Sequence, residues 1–185
     1  FTNAFEQLSL KGKLHRGARN AAWGSCDNNG NGMCSLAEVE KWIQDMLHNN
    51  MRVFKRYRPC YIRAFNDAKD IAGAKGLKGT TTTTTDDYIT KTEFRLFNAY
   101  LIIYAKMFVA FSMVDGKSPQ VGHDRRISKL EFMTNFPAMQ DTFGFAAVKA
   151  CRSSAGKEQL GKIFRKIDSD GHGHILLKEW CEWIE

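Results

Sequence analysis

Residues 27–38 read Asp27-Asn28-Asn29-Gly30-Asn31-Gly32-Met33-Cys34-Ser35-Leu36-Ala37-Glu38. Side-chain oxygens stand at the first, third, fifth, ninth and twelfth places, on Asp27, Asn29, Asn31, Ser35 and Glu38. Gly32 occupies the sixth. A hard divalent cation needs roughly six to eight oxygens at about 2.3–2.6 Å. Donors at alternate positions of a tight loop converge on one point, and glycine at the sixth place permits the sharp turn. Met33, at the seventh, offers its backbone carbonyl. Ser35 acts directly or through water, and Glu38 closes the cage with two oxygens. This is the ligand spacing of a twelve-residue calcium loop.

A second stretch has the same grammar. Asp168-Ser169-Asp170-Gly171-His172-Gly173-His174-Ile175-Leu176-Leu177-Lys178-Glu179 places Asp168, Asp170, Gly173 and Glu179 at positions 1, 3, 6 and 12. His172 departs at position 5, where an oxygen is expected. His174 is at position 7, whose backbone carbonyl is the ligand and whose side chain normally points outward. Leu176 at position 9 has no side-chain oxygen, so water fills that place. The expected result is a loop weaker or more selective than three carboxylates suggest. The two imidazoles also suit zinc, copper or nickel, but ordinary loop positions are the preferred reading. The flanks of both loops carry helical apolar spacing. Ala22, Trp23 and Cys26 precede the first loop, and Val39, Trp42, Ile43 and Met46 follow it. Leu160, Ile163, Phe164 and Ile167 precede the second, and Trp180, Trp183 and Ile184 follow it.

Helix–loop–helix calcium modules, EF-hands, work in pairs, because one alone leaves apolar helix faces uncovered. Two degenerate partners are present. Tyr88-Ile89-Thr90-Lys91-Thr92-Glu93-Phe94 ends a second hand, with Ile89 at position 8 and Glu93 at position 12. Counting back places Thr82, Thr84 and Asp86 at positions 1, 3 and 5, and Asp87 where glycine belongs. Ile127-Ser128-Lys129-Leu130-Glu131-Phe132 ends a third. Either Gln120, Gly122 and Arg125 occupy its positions 1, 3 and 6, or Asp115 is the old first ligand of a lengthened loop. No twelve-residue cage results, and Arg125 and Arg126 repel a cation. Both read as structural hands without metal.

The expected fold is therefore all-α, with two EF-hand pairs joined by a long helix. Residues 1–103 form the first pair and 104–185 the second. Periodicity and glycine-rich breaks predict helices at about 11–26, 36–49, 60–74, 91–114, 129–135, 140–152, 157–167 and 177–185. In 91–114, Phe94, Phe97, Leu101, Tyr104, Phe108 and Phe111 recur every three or four residues, which reads as core packing. The longest apolar run, Ala99–Phe111, is interrupted by Lys106 and is too short to span a bilayer. The threonine run 80–85, flanked by glycines, reads as an exposed loop insertion.

This order of hands resembles the calmodulin superfamily across nearly the whole chain: a good loop, a degenerate one with an insertion, another degenerate one, then a good loop. Arg63-Ala64-Phe65-Asn66-Asp67-Ala68-Lys69 and Thr92-Glu93-Phe94-Arg95-Leu96 are similar to calflagins, the flagellar calcium-binding proteins of trypanosomatids, and to related axonemal EF-hand proteins. The resemblance implies a cytoplasmic protein of the cilium or flagellum that binds calcium, in a sensing or structural role. It also implies membrane linkage through N-terminal acylation. The chain begins at Phe1, so no acylation signal is visible. It ends six residues past Glu179, and a C-terminal continuation is expected.

The 185 residues are 43% hydrophobic and 25% charged, enough apolar content for a core without disulfides. Members of this superfamily are usually acidic, whereas this chain has a net charge of +7. The basic residues concentrate at Arg52, Lys55, Arg56, Arg58 and Arg63, interleaved with Phe54, Tyr57 and Tyr61. A solvated basic helix end is the first reading, and an acidic protein surface such as tubulin the second. Nucleic acid and anionic lipid come last, since no RNA-binding motif accompanies the aromatics. Five dispersed cysteines without a Cys-x-x-Cys disfavour a disulfide framework or zinc knuckle and favour a reducing compartment. No phosphate loop, dinucleotide fingerprint or nucleophile elbow is present, so an enzyme is not expected.

Two functions follow as expectations. The first is a calcium-binding protein of the cilium or flagellum that takes one Ca2+ per lobe, with Mg2+ the competing cation at rest, and docks on an acidic protein partner, tubulin or another axonemal protein. The second is an axonemal or microtubule-associated scaffold in which calcium is incidental and the basic surface holds tubulin.

Overall fold

A computed structural model describes residues 1–74, 87–116, 125–151 and 156–185. These contain ten helices and four three-residue strands. The chain separates into two compact units, Phe1–Ala105 and Lys106–Glu185.

The first unit begins with α1 (Thr2–Ser9), α2 (Lys13–Cys26), β1 (Met33–Ser35) and α3 (Leu36–Met46). It continues with α4 (Met51–Arg56), α5 (Arg58–Ala74), β2 (Tyr88–Thr90) and the start of α6 (Lys91–Asp115). β1 and β2 are antiparallel, with Cys34 opposite Ile89. Position 8 of the first hand thus meets position 8 of the second. Around this bridge lies an aromatic core. Phe94 is 5.4 Å from Trp23 and 5.1 Å from Trp42, ring centre to ring centre. Edge-on aromatic pairs of this kind add about 0.5–1.5 kcal/mol beyond the area they bury.

The second unit holds the end of α6, β3 (Arg126–Ser128), α7 (Lys129–Thr142) and α8 (Ala146–Ala150). α9 (Lys157–Ile167), β4 (His174–Leu176) and α10 (Leu177–Ile184) complete it. β3 pairs antiparallel with β4 and sets Ile127 opposite Ile175, again position 8 to position 8. Trp180 is fully buried and its indole N–H donates to the Met107 carbonyl at 3.1 Å. Phe132 packs on Phe136 at 4.4 Å and on Phe164 at 5.6 Å.

Four features differ from the sequence reading. Helix α1 is unanticipated: eight residues without a side-chain cap give little local signal. Phe5 and Leu8 on it are nonetheless buried, and Phe5 meets Trp42 at 5.5 Å. The helix expected over 36–49 is shorter, and an unexpected helix, α4, follows it. His48 and Asn49 adopt φ of 50° and 58°, which ends α3 early. Asn50 then caps α4 by accepting from the Val53 amide at 3.2 Å. Third, α7 does not stop before Pro137 but runs through it to Thr142, and the expected helix 140–152 reduces to α8. Pro137 is exposed, while Phe136 and Met139 beside it are buried, so tertiary packing outweighs the missing amide bond. Finally, α6 is long and apolar enough to cross a membrane by length and composition alone. Its apolar residues are core in both units: Phe94, Phe97 and Leu101 in the first, Phe108 and Phe111 in the second.

The aromatics of the basic segment are packed rather than presented. Tyr61 is fully buried, Phe54 stacks on it at 5.4 Å, and Tyr57 stacks on Phe1 at 4.2 Å. Thr82, Thr84, Asp86, Gln120, Gly122 and the threonine run lie outside the described residues.

Candidate metal centres

Each loop starts where an amphipathic helix ends and closes on the first turn of the next. Gly32 and Gly173, the sixth residues, share φ of 83°, a left-handed turn that favours glycine. Arg125, at the same place in the third hand, holds φ of 58° without being glycine. That hand retains this turn although its ligands are gone.

All four position-12 glutamates bond alike to position 9. The amides of Ser35, Thr90, Ser128 and Leu176 donate to the Oε2 atoms of Glu38, Glu93, Glu131 and Glu179 at 2.9, 2.7, 2.8 and 2.8 Å. In the first three hands the position-9 hydroxyl donates to the same oxygen, at 2.8, 2.7 and 2.7 Å. Ser35 and Ser128 complete capping boxes by accepting from the Glu38 and Glu131 amides. An N-cap of this kind stabilises a helix by about 1 kcal/mol.

In loop 27–38 the side chains satisfy one another. Asp27 accepts from the Asn31 amide at 3.1 Å and the Gly32 amide at 3.0 Å. Asn29 accepts from the Asn31 amide at 2.9 Å, and its Nδ2 donates to Glu38 Oε1 at 2.8 Å. Asn31 accepts from the Met33 amide at 2.9 Å. Both Glu38 oxygens are thus engaged within the loop. Met33 and Ser35 lie on β1, which the bridge to β2 anchors.

Loop 168–179 is more charged. One ligand oxygen each of Asp168, Asp170 and Glu179 lies within 4.8 Å of the others. Asp168 Oδ2 accepts from the Gly173 amide at 3.0 Å, whereas its Oδ1 is buried without a hydrogen-bond partner. Glu179 Oε1 accepts from the Ser169 amide at 2.8 Å, the Ser169 hydroxyl at 3.1 Å and the Asp170 amide at 3.2 Å. Ser169 is a contributor that ligand spacing does not reveal, because position 2 is not a ligand. His172 and His174 are not in the carboxylate cluster. The His172 imidazole pairs instead with Asp170 Oδ2 at 2.8 Å. That hydrogen bond holds the Asp170 carboxyl below, and the imidazole above, its ordinary range. His174, on β4, is half-buried.

These residues fit a hard divalent cation. Three carboxylates gathered this closely repel one another, and a buried carboxylate oxygen without a donor is costly unless a positive charge meets it. When bound, the cation would supply that charge. Loop 27–38 fits more weakly, with two carboxylates whose oxygens already have donors.

Two thiols border the first loop. Cys26 ends α2 and Cys34 centres β1, and both are buried. Neighbouring Cys34, then burial, pushes the Cys26 thiol well above its ordinary range.

Helix–loop–helix units paired through position 8 of each loop define an EF-hand protein. Residues 12–101, just under half of the chain, match the family model described as the FCaBP EF-hand domain, that of the flagellar calcium-binding proteins. No curated protein matches the chain.

Proposed function

We propose that the chain binds one Ca2+ in each unit, at loops 27–38 and 168–179, and acts in a flagellum on an acidic protein partner. The observation that carries the calcium assignment is the Asp168, Asp170 and Glu179 cluster with its buried, unpartnered Asp168 oxygen. Asp27, Asn29, Asn31, Ser35 and Glu38, with the Met33 carbonyl, would hold the first ion. Asp168, Asp170 and Glu179, with the His174 carbonyl, would hold the second. Loop 168–179 is the tighter of the two because its carboxylates are more numerous. Mg2+ competes at rest. The flagellar setting rests on the family, and the acidic partner on the +7 charge and on exposed Arg52, Lys55 and Arg56. Calorimetric calcium titration, with magnesium present, tests the assignment. The expected result is two sites, of which Glu179→Gln removes the tighter and Glu38→Gln the weaker. Unchanged binding in the double variant refutes it.

A scaffold reading has one observation in its favour. Glu93 and Glu131, in hands without a ligand set, make the same position-9 bonds as Glu38, so the pairing does not depend on a cation. Salt-sensitive co-sedimentation with microtubules that chelator leaves unchanged would support it. No co-sedimentation at low salt would refute it.

A further inference from the structure

Ten asparagines occur in the chain, and two of them, Asn29 and Asn31, are followed by glycine. Both pairs lie in loop 27–38, and Asn29, Gly30, Asn31 and Gly32 are all exposed. An asparagine before glycine is chemically vulnerable. The next backbone nitrogen can reach the side-chain carboxamide carbon and close a five-membered ring, and glycine puts no side chain in the way. At Gly30 and Gly32 nothing lies within 4 Å of where a side chain would begin, so no neighbour shields the site either.

The two steps differ in what holds the attacking nitrogen. The Gly32 amide donates to the Asp27 carboxylate Oδ2 at 3.0 Å, a charge-assisted bond that ties up its proton. The Gly30 amide donates only to the neutral Asp27 carbonyl, at 3.3 Å. That is longer than the usual range of about 2.7–3.2 Å. Both carboxamides are polarised for attack. Asn29 Oδ1 accepts from the Asn31 amide and Asn31 Oδ1 from the Met33 amide, each at 2.9 Å. Such donors stand where negative charge develops when the carbon is attacked. The attacking nitrogen therefore decides between the two, in favour of Asn29.

We propose that Asn29 is a deamidation site, through which loop 27–38 acquires a third carboxylate without an enzyme. The Gly30 nitrogen attacks Asn29 Cγ, a new C–N bond forms, and the bond from Cγ to Nδ2 breaks. Nδ2 leaves as ammonia, with the proton that Gly30 gives up relayed by solvent. Water then opens the cyclic imide at either carbonyl. One opening leaves aspartate; the other routes the main chain through the side chain, as isoaspartate. The sum is one water consumed and one ammonia released, with no change of oxidation state.

The two products act oppositely on the loop. Aspartate keeps the backbone and exchanges a neutral position-3 oxygen for a charged one, as loop 168–179 already has in Asp170. Added ligand charge tightens such loops. Isoaspartate inserts a methylene into the main chain between Asp27 and Asn31, and the alternate spacing that makes the donors converge is lost. These consequences rest on the calcium reading above; the deamidation itself does not.

The test incubates the full chain for days in chelator at mildly alkaline pH, then digests it with trypsin beside an unincubated sample. The peptide 20–41 carries Asn20, Asn28, Asn29 and Asn31, so three asparagines serve as controls within it. The expected result is the mass gain of exchanging NH2 for OH, located by fragmentation at residue 29 and split between two chromatographic peaks. Isoaspartyl methyltransferase labels one peak and not the other. Asn29→Gln, whose longer side chain cannot close the five-membered ring, abolishes both. No mass gain in the folded chain, while a synthetic peptide of residues 26–34 converts, overturns the proposal. Conversion that begins at Asn31 or Asn28 overturns it too. Calcium titration of Glu179→Gln protein isolates the first loop. After separation, its aspartate form should bind about tenfold more tightly than the starting protein and its isoaspartate form about tenfold more weakly. Equal affinity of all three forms overturns the coupling. Fresh Glu179→Gln protein that takes up no calcium refutes the calcium reading of this loop, and the mass measurement then decides the deamidation alone.

Discussion

Glu38 and Glu179 stand at the same position of two loops and are held differently. Glu38 Oε1 takes a hydrogen from Asn29 Nδ2, a neutral neighbour. Glu179 Oε1 takes three from Ser169 and Asp170, and shares its cluster with two more carboxylates. A cation bound there would therefore relieve repulsion in the second loop and displace internal bonds in the first. Glu179→Gln is expected to weaken calcium binding at 168–179 by about 100-fold, since ligand charge tunes such loops over decades. Tryptophan fluorescence from Trp180 during titration reads this. Asn29→Asp makes the converse test. It replaces the 2.8 Å bond to Glu38 by two facing carboxylates. In chelator the first unit should lose about 1 kcal/mol, the size of one hydrogen bond. With calcium, affinity at 27–38 should rise about tenfold through the added ligand charge. Thermal unfolding with and without calcium separates the two effects.

At the scale of elements, α1 and α7 carry the sharpest expectations. Phe5 of α1 is fully buried, against Phe1 and Trp42. Phe5→Ala removes most of a core aromatic and should destabilise the first unit by about 3–5 kcal/mol. Urea unfolding followed by tryptophan emission measures it; a change below about 1 kcal/mol, the level of an ordinary surface substitution, would mean that α1 is not part of the core. Pro137 sits inside α7 on the solvent side, where its ring leaves a helical carbonyl without its amide. Pro137→Ala restores that donor without touching the core. It should stabilise the second unit by about 1–3 kcal/mol, up to the usual interior proline penalty.

For the whole molecule, a ligand that binds only the folded state stabilises it by mass action. Calcium at a hundred times its dissociation constant should add about 2.7 kcal/mol to the unit that holds it. Scanning calorimetry of the full chain, with Glu38→Gln or Glu179→Gln, assigns each gain to its unit. If each variant loses only its own unit's gain, the two sites act separately; a loss in both units would reveal coupling between them.

The loops were legible because their ligands are local. Twelve consecutive residues carry the donors, the left-handed turn at Gly32 or Gly173 and the closing glutamate, and steric rules tie those to positions along the chain. The isoleucines at position 8 and the helical stripe of α6 were legible for the same reason. What needed tertiary structure depends on neighbours distant in sequence. Phe5 finds Trp42, which lets a short, uncapped helix form. Tyr61 turns from a basic segment into the core, with Phe54 stacked on it. Buried Phe136 and Met139 carry α7 through a proline that would stop an isolated helix. Local spacing determines where the oxygen-bearing loops lie; packing between elements decides which side chains surround them and which remain within reach of solvent.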